Sequence, residues 1–139
     1  MGTPVINTLA VLGATVASIV LGMLWYGPLF GKAWMKAAGI SDKAAAAAKK
    51  KGMGAKNYIG MIIVSFIFSY VLAHFVDYLD VTNFNGAFQL GFWVWLGFMA
   101  TIHIGSYLWD NKPFKLFVIQ AGYSLVQIVL LSWILAVWV

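Results

Sequence analysis

Few residues in this chain are equipped for chemistry. Its 139 residues include two His, nine Lys and four Asp, with no Cys, Glu or Arg. Zero Cys excludes disulfides, thiol redox chemistry, Cys-ligated zinc and iron–sulfur clusters. His74, Asp77 and Tyr78 are spaced to share one helical face. That spacing suits a surface metal or proton site, or an ordinary interfacial hydrogen bond. His103 and Ser106 are one turn apart, but Asp110 falls in a turn and no nucleophile elbow surrounds the serine. A Ser–His–Asp hydrolase is therefore not supported.

Depth arithmetic separates the two histidines. A helix rises about 1.5 Å per residue, and each His lies roughly six residues from the middle of its apolar segment, on opposite sides. They are then about 18 Å apart along the segment axis, which excludes a two-histidine metal site. Di-iron chemistry needs several convergent His or carboxylate ligands, which the spacing does not provide. Gln120 reaches a depth similar to that of His103, so a His103–Gln120 hydrogen bond is expected, with Tyr123 one turn from Gln120. Gln127 falls near the middle of its segment and Gln89 nearer the other side. No acid lies at mid-segment, where coupled carriers place one. These readings point to no catalytic residues, no metal and no cofactor.

Composition dictates the scaffold that carries these side chains. The chain is 63% apolar and 9% charged. Soluble domains run about 45–50% apolar and 25% charged, so neither a soluble globule nor a disordered chain fits. Spans of about 20 apolar residues are expected at 3–26, 57–79, 84–109 and 113–138. The fold class is then all-α: an integral membrane four-helix bundle in one transmembrane domain, 1–139. The first span lacks the basic flank of a signal peptide and reads as retained.

The loops carry the charge. Seven lysines lie in the loop 27–56, and Lys112 and Lys115 flank the start of the last span. The turn after the second span carries Asp77 and Asp80 and no lysine. Lysine-rich loops stay cytoplasmic, so both termini are expected outside and loop 27–56 inside. Within that loop, 28–38 places Phe30, Ala33, Trp34 and Ala37 opposite Lys32 and Lys36, the pattern of an interfacial amphipathic helix. Ser41 suits a helix N-cap, Asp42 its first turn, Lys49–Lys51 its last, and Gly52-Met53-Gly54 its stop.

Membrane helices meet through small residues. Candidate stripes are Gly13/Ala17 and Ser18/Gly22, then Ser65/Ser69/Ala73, then Gly97/Thr101/Gly105, and the less regular Ala121-Gly122 with Ser132. Each could pack within the bundle, or one could make a homo-oligomer. Trp25, Tyr26, Trp34, Tyr58, Tyr107 and Trp109 fall near the inner interface, and Tyr78, Trp133 and Trp138 near the outer. Trp93 and Trp95 lie deeper and are expected to pack between helices.

Two stretches are distinctive: LGMLWYGPLFGKAWM at 21–35 and PFKLFVIQAGYSLV at 113–126, the latter shortly after Trp109. Together they resemble the bacterial family of unknown function DUF1761. The resemblance implies four spans, a W-Y-x-P-x-x-F-G-K-x-W-like signature after the first and a P-x-K-L…GY pattern opening the last. Gly27 stands where many members have Ser, and the alanine-rich loop lies outside the resemblance. It implies no activity.

Both motifs fall at the lysine-rich end. Trp25, Tyr26, Lys32, Trp34, His103, Trp109, Lys115, Gln120 and Tyr123 are expected to gather there. Such a cluster would either hold an anionic lipid headgroup or small anion, or anchor the loop. The sequence therefore points to a non-enzymatic membrane component, a homo-oligomer or an accessory subunit of a membrane complex. Its partners would be membrane lipids and other membrane proteins. The alternative is a small-solute channel or uncoupled carrier lined by His103, Gln120 and Gln127. Nucleic acid is a poor partner for loop-confined lysines without Arg.

Overall fold

A computed structural model describes residues 3–52 and 54–138. The described residues form helices and turns, and four helical runs are long and apolar enough to cross a membrane: Thr8–Leu29, Ala55–Tyr78, Phe84–Leu108 and Phe114–Val137.

The first run is α1 (Thr8–Leu24) continued by a π-helical segment, π1 (Trp25–Leu29). It starts five residues later than hydropathy suggests. Asn7 accepts from the Leu9 and Ala10 N–H groups at 3.1 and 3.2 Å, and that cap fixes the start. Upstream, the Val5 N–H donates to Asp77 Oδ2 at 3.2 Å. In π1, Pro28 offers no N–H and Gly27 is non-helical (φ −106°, ψ −106°), so the Phe30 N–H reaches back five residues to the Trp25 carbonyl at 2.8 Å. The chain bends there into α2 (Gly31–Ala37), which starts at Gly31 rather than at 28 because π1 takes the preceding residues. Lys32 and Lys36 are exposed while Ala37 is buried. Next, α3 (Asp42–Lys51) is capped by the Ser41 hydroxyl, which accepts from the Ala44 N–H at 3.1 Å, and ends at Gly52 with φ +75°. Met53, in the expected stop, lies outside the described residues.

The second run is α4 (Ala55–Tyr78). Asn83 then caps α5 (Phe84–Val94) through the Gly86 N–H at 2.8 Å. A second π segment, π2 (Trp95–Ala100), leads into the short α6 (Thr101–His103) and α7 (Gly105–Leu108). The last run is α8 (Phe114–Val137), with Pro113 at its N-cap.

Helix α8 is the centre of the packing and touches α1, α4 and α5, while α1 and α4 pack on each other. Small and aliphatic residues fill the shared seam, among them Ala10, Val11, Ala14, Leu72 and Leu131. Ser18, Ser65, Ser69, Ala73, Ala121 and Ser132 are buried, so most of the expected stripes face inward. The third run differs. Its packing stripe is Ala87 and Gly91, not Gly97/Thr101/Gly105. A Cβ on Gly91 would lie 2.9 Å from Val129 Cγ2 and 3.1 Å from the Val129 backbone, whereas one on Gly97 would meet nothing within 4 Å. Thr101 is exposed. Trp93, expected between helices, is 62% exposed, and its indole donates to Gln89 Oε1 on its own helix at 3.0 Å. Between α4 and the third run an apolar groove of about 360 Å³ opens, floored by Ile128.

Candidate functional site at the lysine-rich end

The two distinctive stretches pack against each other. Trp25, first residue of π1, donates its indole N–H to the Ile119 carbonyl at 3.0 Å, and its ring covers Gly122, where a Cβ would lie 3.2 Å from the indole. Tyr26 meets Tyr123 with ring centroids 5.2 Å apart and takes the Trp34 ring edge-on at 5.5 Å. Phe30 packs on Trp25 at 4.6 Å. Four of the nine expected residues, Trp25, Tyr26, Trp34 and Tyr123, thus form one aromatic stack tying α1, π1 and α2 to α8. The Trp34 indole nitrogen is buried with no hydrogen-bond partner among the described residues.

The remaining five divide. Lys32 and Lys115 are exposed at the same end. His103 does not pair with the Gln120 side chain: its Nε2 lies 2.9 Å from Ser124 Oγ, which donates in turn to the Gln120 carbonyl at 3.1 Å. The depth of His103 was legible, but its rotation about the helix was set by π2. Trp109 is 79% exposed and contributes to neither group.

Deeper in α8, Gln127 Nε2 donates to Ser18 Oγ at 2.8 Å. Ser18 is therefore a polar junction between α1 and α8. On the other side, Trp95, first residue of π2, donates to the Ala121 carbonyl at 2.8 Å. Two spans thus hang on α8 through tryptophan indoles whose acceptors are two residues apart, each tryptophan at the start of a π segment. Sequence reasoning misses Ser18 and Ser124 as hydrogen-bond partners. The signal is present in the recurrence of Gln120, Tyr123, Ser124 and Gln127 at intervals of three and four on α8.

No catalytic constellation gathers among the described residues. Ser106 Oγ donates to the His103 carbonyl at 2.9 Å. His74 Nδ1 lies 2.8 Å from the Tyr70 carbonyl, while Asp77 engages Val5, so the face shared by His74 and Asp77 does not close into a site. No three His, Cys, Asp or Glu residues among those described are grouped to hold a metal.

Residues 9–136 match DUF1761, described as a protein of unknown function. The chain belongs to the DUF1761 family. Together with the four apolar runs, this makes it a multi-span membrane protein. No curated protein and no solved structure matches it. The aromatic stack joins the two stretches in which the DUF1761 resemblance is concentrated.

Proposed function

We propose that this DUF1761 protein is a non-enzymatic component of the bacterial inner membrane that associates with a second copy of itself, or with a larger complex, through the outward face of its third span. One observation carries the reading. Only 17% of the most apolar stretch of that span is buried, against 39% for α8, and Gly97 has open space where a side chain would be. Thr101 lies one turn on, with its hydroxyl turned back to the Gly97 carbonyl at 2.8 Å, which leaves its methyl outward. Phe98 and Ile102 flank the pair at 71% and 74% exposed. Small residues between bulky ones let a second helix approach closely.

The lysine-rich end supports a cytoplasmic orientation for loop 27–56, with both termini outside. There α2 would lie on the inner leaflet, with Lys32 and Lys36 facing anionic headgroups and the aromatic stack behind them as its anchor. A solute path along His103, Gln120 and Gln127 is the weaker reading. His103 is engaged by Ser124, and Gln127 by Ser18 of another span.

Native mass spectrometry from lipid nanodiscs tests both parts. A dimer or larger assembly that becomes monomeric in Gly97→Leu supports the association. A wild-type monomer with no partner would overturn it. Retention of phosphatidylglycerol that falls several-fold when Lys32, Lys36 and Lys115 are changed to Ala supports the lipid contact, and unchanged retention would remove it.

A further inference from the structure

The groove between α4 and the third span is concave where the other lipid-facing surfaces are convex. Ile67, Val71 and Phe75 of α4 stand on one side, Val94 and Met99 of the third span on the other, and Ile128 of α8 below. No side chain lining it carries nitrogen or oxygen. Such a void stays dry and forfeits dispersion contacts until hydrocarbon fills it, so it excludes a hydrated solute or a headgroup. Its walls are also held apart. At the turn joining α4 to α5, the Val81 N–H donates to the Val76 carbonyl at 3.0 Å, and a Cβ on Gly86 would lie 3.1 Å from Val81 Cγ1. Val81 therefore sets the spacing of the two helices at that end. Below the turn each span packs on α8 rather than extensively on the other, and the close approach of Gly91 to Val129 fixes the third span there.

Size and depth select the occupant. The α4 residues of the groove, from Ile67 to Phe75, all fall in the half of α4 nearest Tyr78, away from the lysines. At 1.5 Å per residue they cover about 12 Å. That is most of the roughly 15 Å that one leaflet gives to the hydrocarbon core. A helix of 10 Å diameter would fill about 900 Å³ over that length, against a groove of about 360 Å³. A span of a second copy therefore does not fit between these walls. A single hydrocarbon chain, only a few ångströms across, does, and lipid tails are as apolar as the leucine and isoleucine that meet them.

We propose that this groove is a binding site for one acyl chain of a membrane lipid, drawn from the leaflet away from the lysines and recognised by its tail rather than its headgroup. The site rests neither on the lysine-rich end nor on the association face of the third span. Native mass spectrometry of the intact protein released from phosphatidylcholine nanodiscs tests it, because a lipid without net charge is not selected by the lysines. The expected result is one phosphatidylcholine retained per chain, with single-chain lysophosphatidylcholine retained equally well. Retention should fall several-fold in Val71→Phe and further in Val71→Trp. A helical side chain leans over the preceding turn, so a larger ring at 71 lies along the groove toward Ile67. Val71 is 48% exposed, so the fold can accept either ring, and the milder Phe variant reports if Trp disturbs folding. Ile59→Trp, at an exposed position two turns from Ile67, should leave retention unchanged, as should replacing Lys32, Lys36 and Lys115 with Ala. No retained lipid, a requirement for both chains, or full retention in Val71→Phe and Val71→Trp would overturn the proposal. So would a loss that follows the lysines instead, or a wild-type dimer that Val71→Trp converts to a monomer, which would give the groove to a helix.

Discussion

The third span and α8 are nearly equal in length, and both are apolar enough to cross a membrane, yet they use their surfaces in opposite ways. Helix α8 is packed on several sides. It offers small and hydroxyl residues in more than one direction, and two neighbouring tryptophans donate to its backbone at Ile119 and Ala121. The third span packs along α8 on one face, closest at Gly91 against Val129, and turns Trp93, Phe98 and Ile102 outward. Hydropathy does not account for this, since the more buried α8 is also the more apolar of the two. The contrast lies in where small residues fall around the helix, because lipid supplies no hydrophobic drive between spans and close approach decides which faces meet.

Five substitutions probe this contrast, in descending order of expected effect. Gly91→Leu drives a side chain into the α8 backbone and should destabilise the fold by about 3 kcal/mol, the upper range for overpacking, as read by chemical unfolding in mixed micelles. Trp95→Phe keeps an aromatic ring and removes the N–H to Ala121; a loss of about 1 kcal/mol is expected in the same assay, with Trp25→Phe close behind. Gln127→Leu removes the bond to Ser18 and should cost roughly 0.6 kcal/mol, a typical value for interhelical hydrogen bonds in membranes. Gly97→Leu should change monomer stability by less than about 0.5 kcal/mol, since nothing lies within reach of the new side chain. A large loss at Gly97 and none at Gly91 would reverse the assignment of the two faces.

The same residues mark how far the sequence can be read. The four spans and the lysine sorting come from apolar run length and loop charge. The α3 helix comes from Ser41, Asp42 and three lysines, because caps are local. Hydropathy misplaces the start of α1, because Val5 and Ile6 extend the apolar run past the Asn7 cap. The fourfold spacing of Ala87 and Gly91 is open to view but is masked by the more conspicuous Gly97/Thr101/Gly105. The π segments leave no hydropathy signature, and π2 rotates every later residue of its span. At roughly 100° per residue, His103 would stand about 120° from Gly91 in a regular helix. One extra residue absorbed in a π turn reduces that to about 20° and brings His103 toward α8. The same shift puts Thr101 about 180° from Gly91, on the outward face. The candidate site is legible as far as its two aromatic stretches; its division into an aromatic stack and a His103–Ser124 pair depends on that rotation.

If the outward face of the third span meets a second copy, a cysteine placed on it will cross-link. The chain has no native Cys, so single cysteines report without background. Oxidative cross-linking in native membranes should give a disulfide-linked dimer from Thr101→Cys and little from Val64→Cys, an outward position on α4 that is 66% exposed. Cross-linking at Thr101 no greater than at Val64 would contradict association through this face.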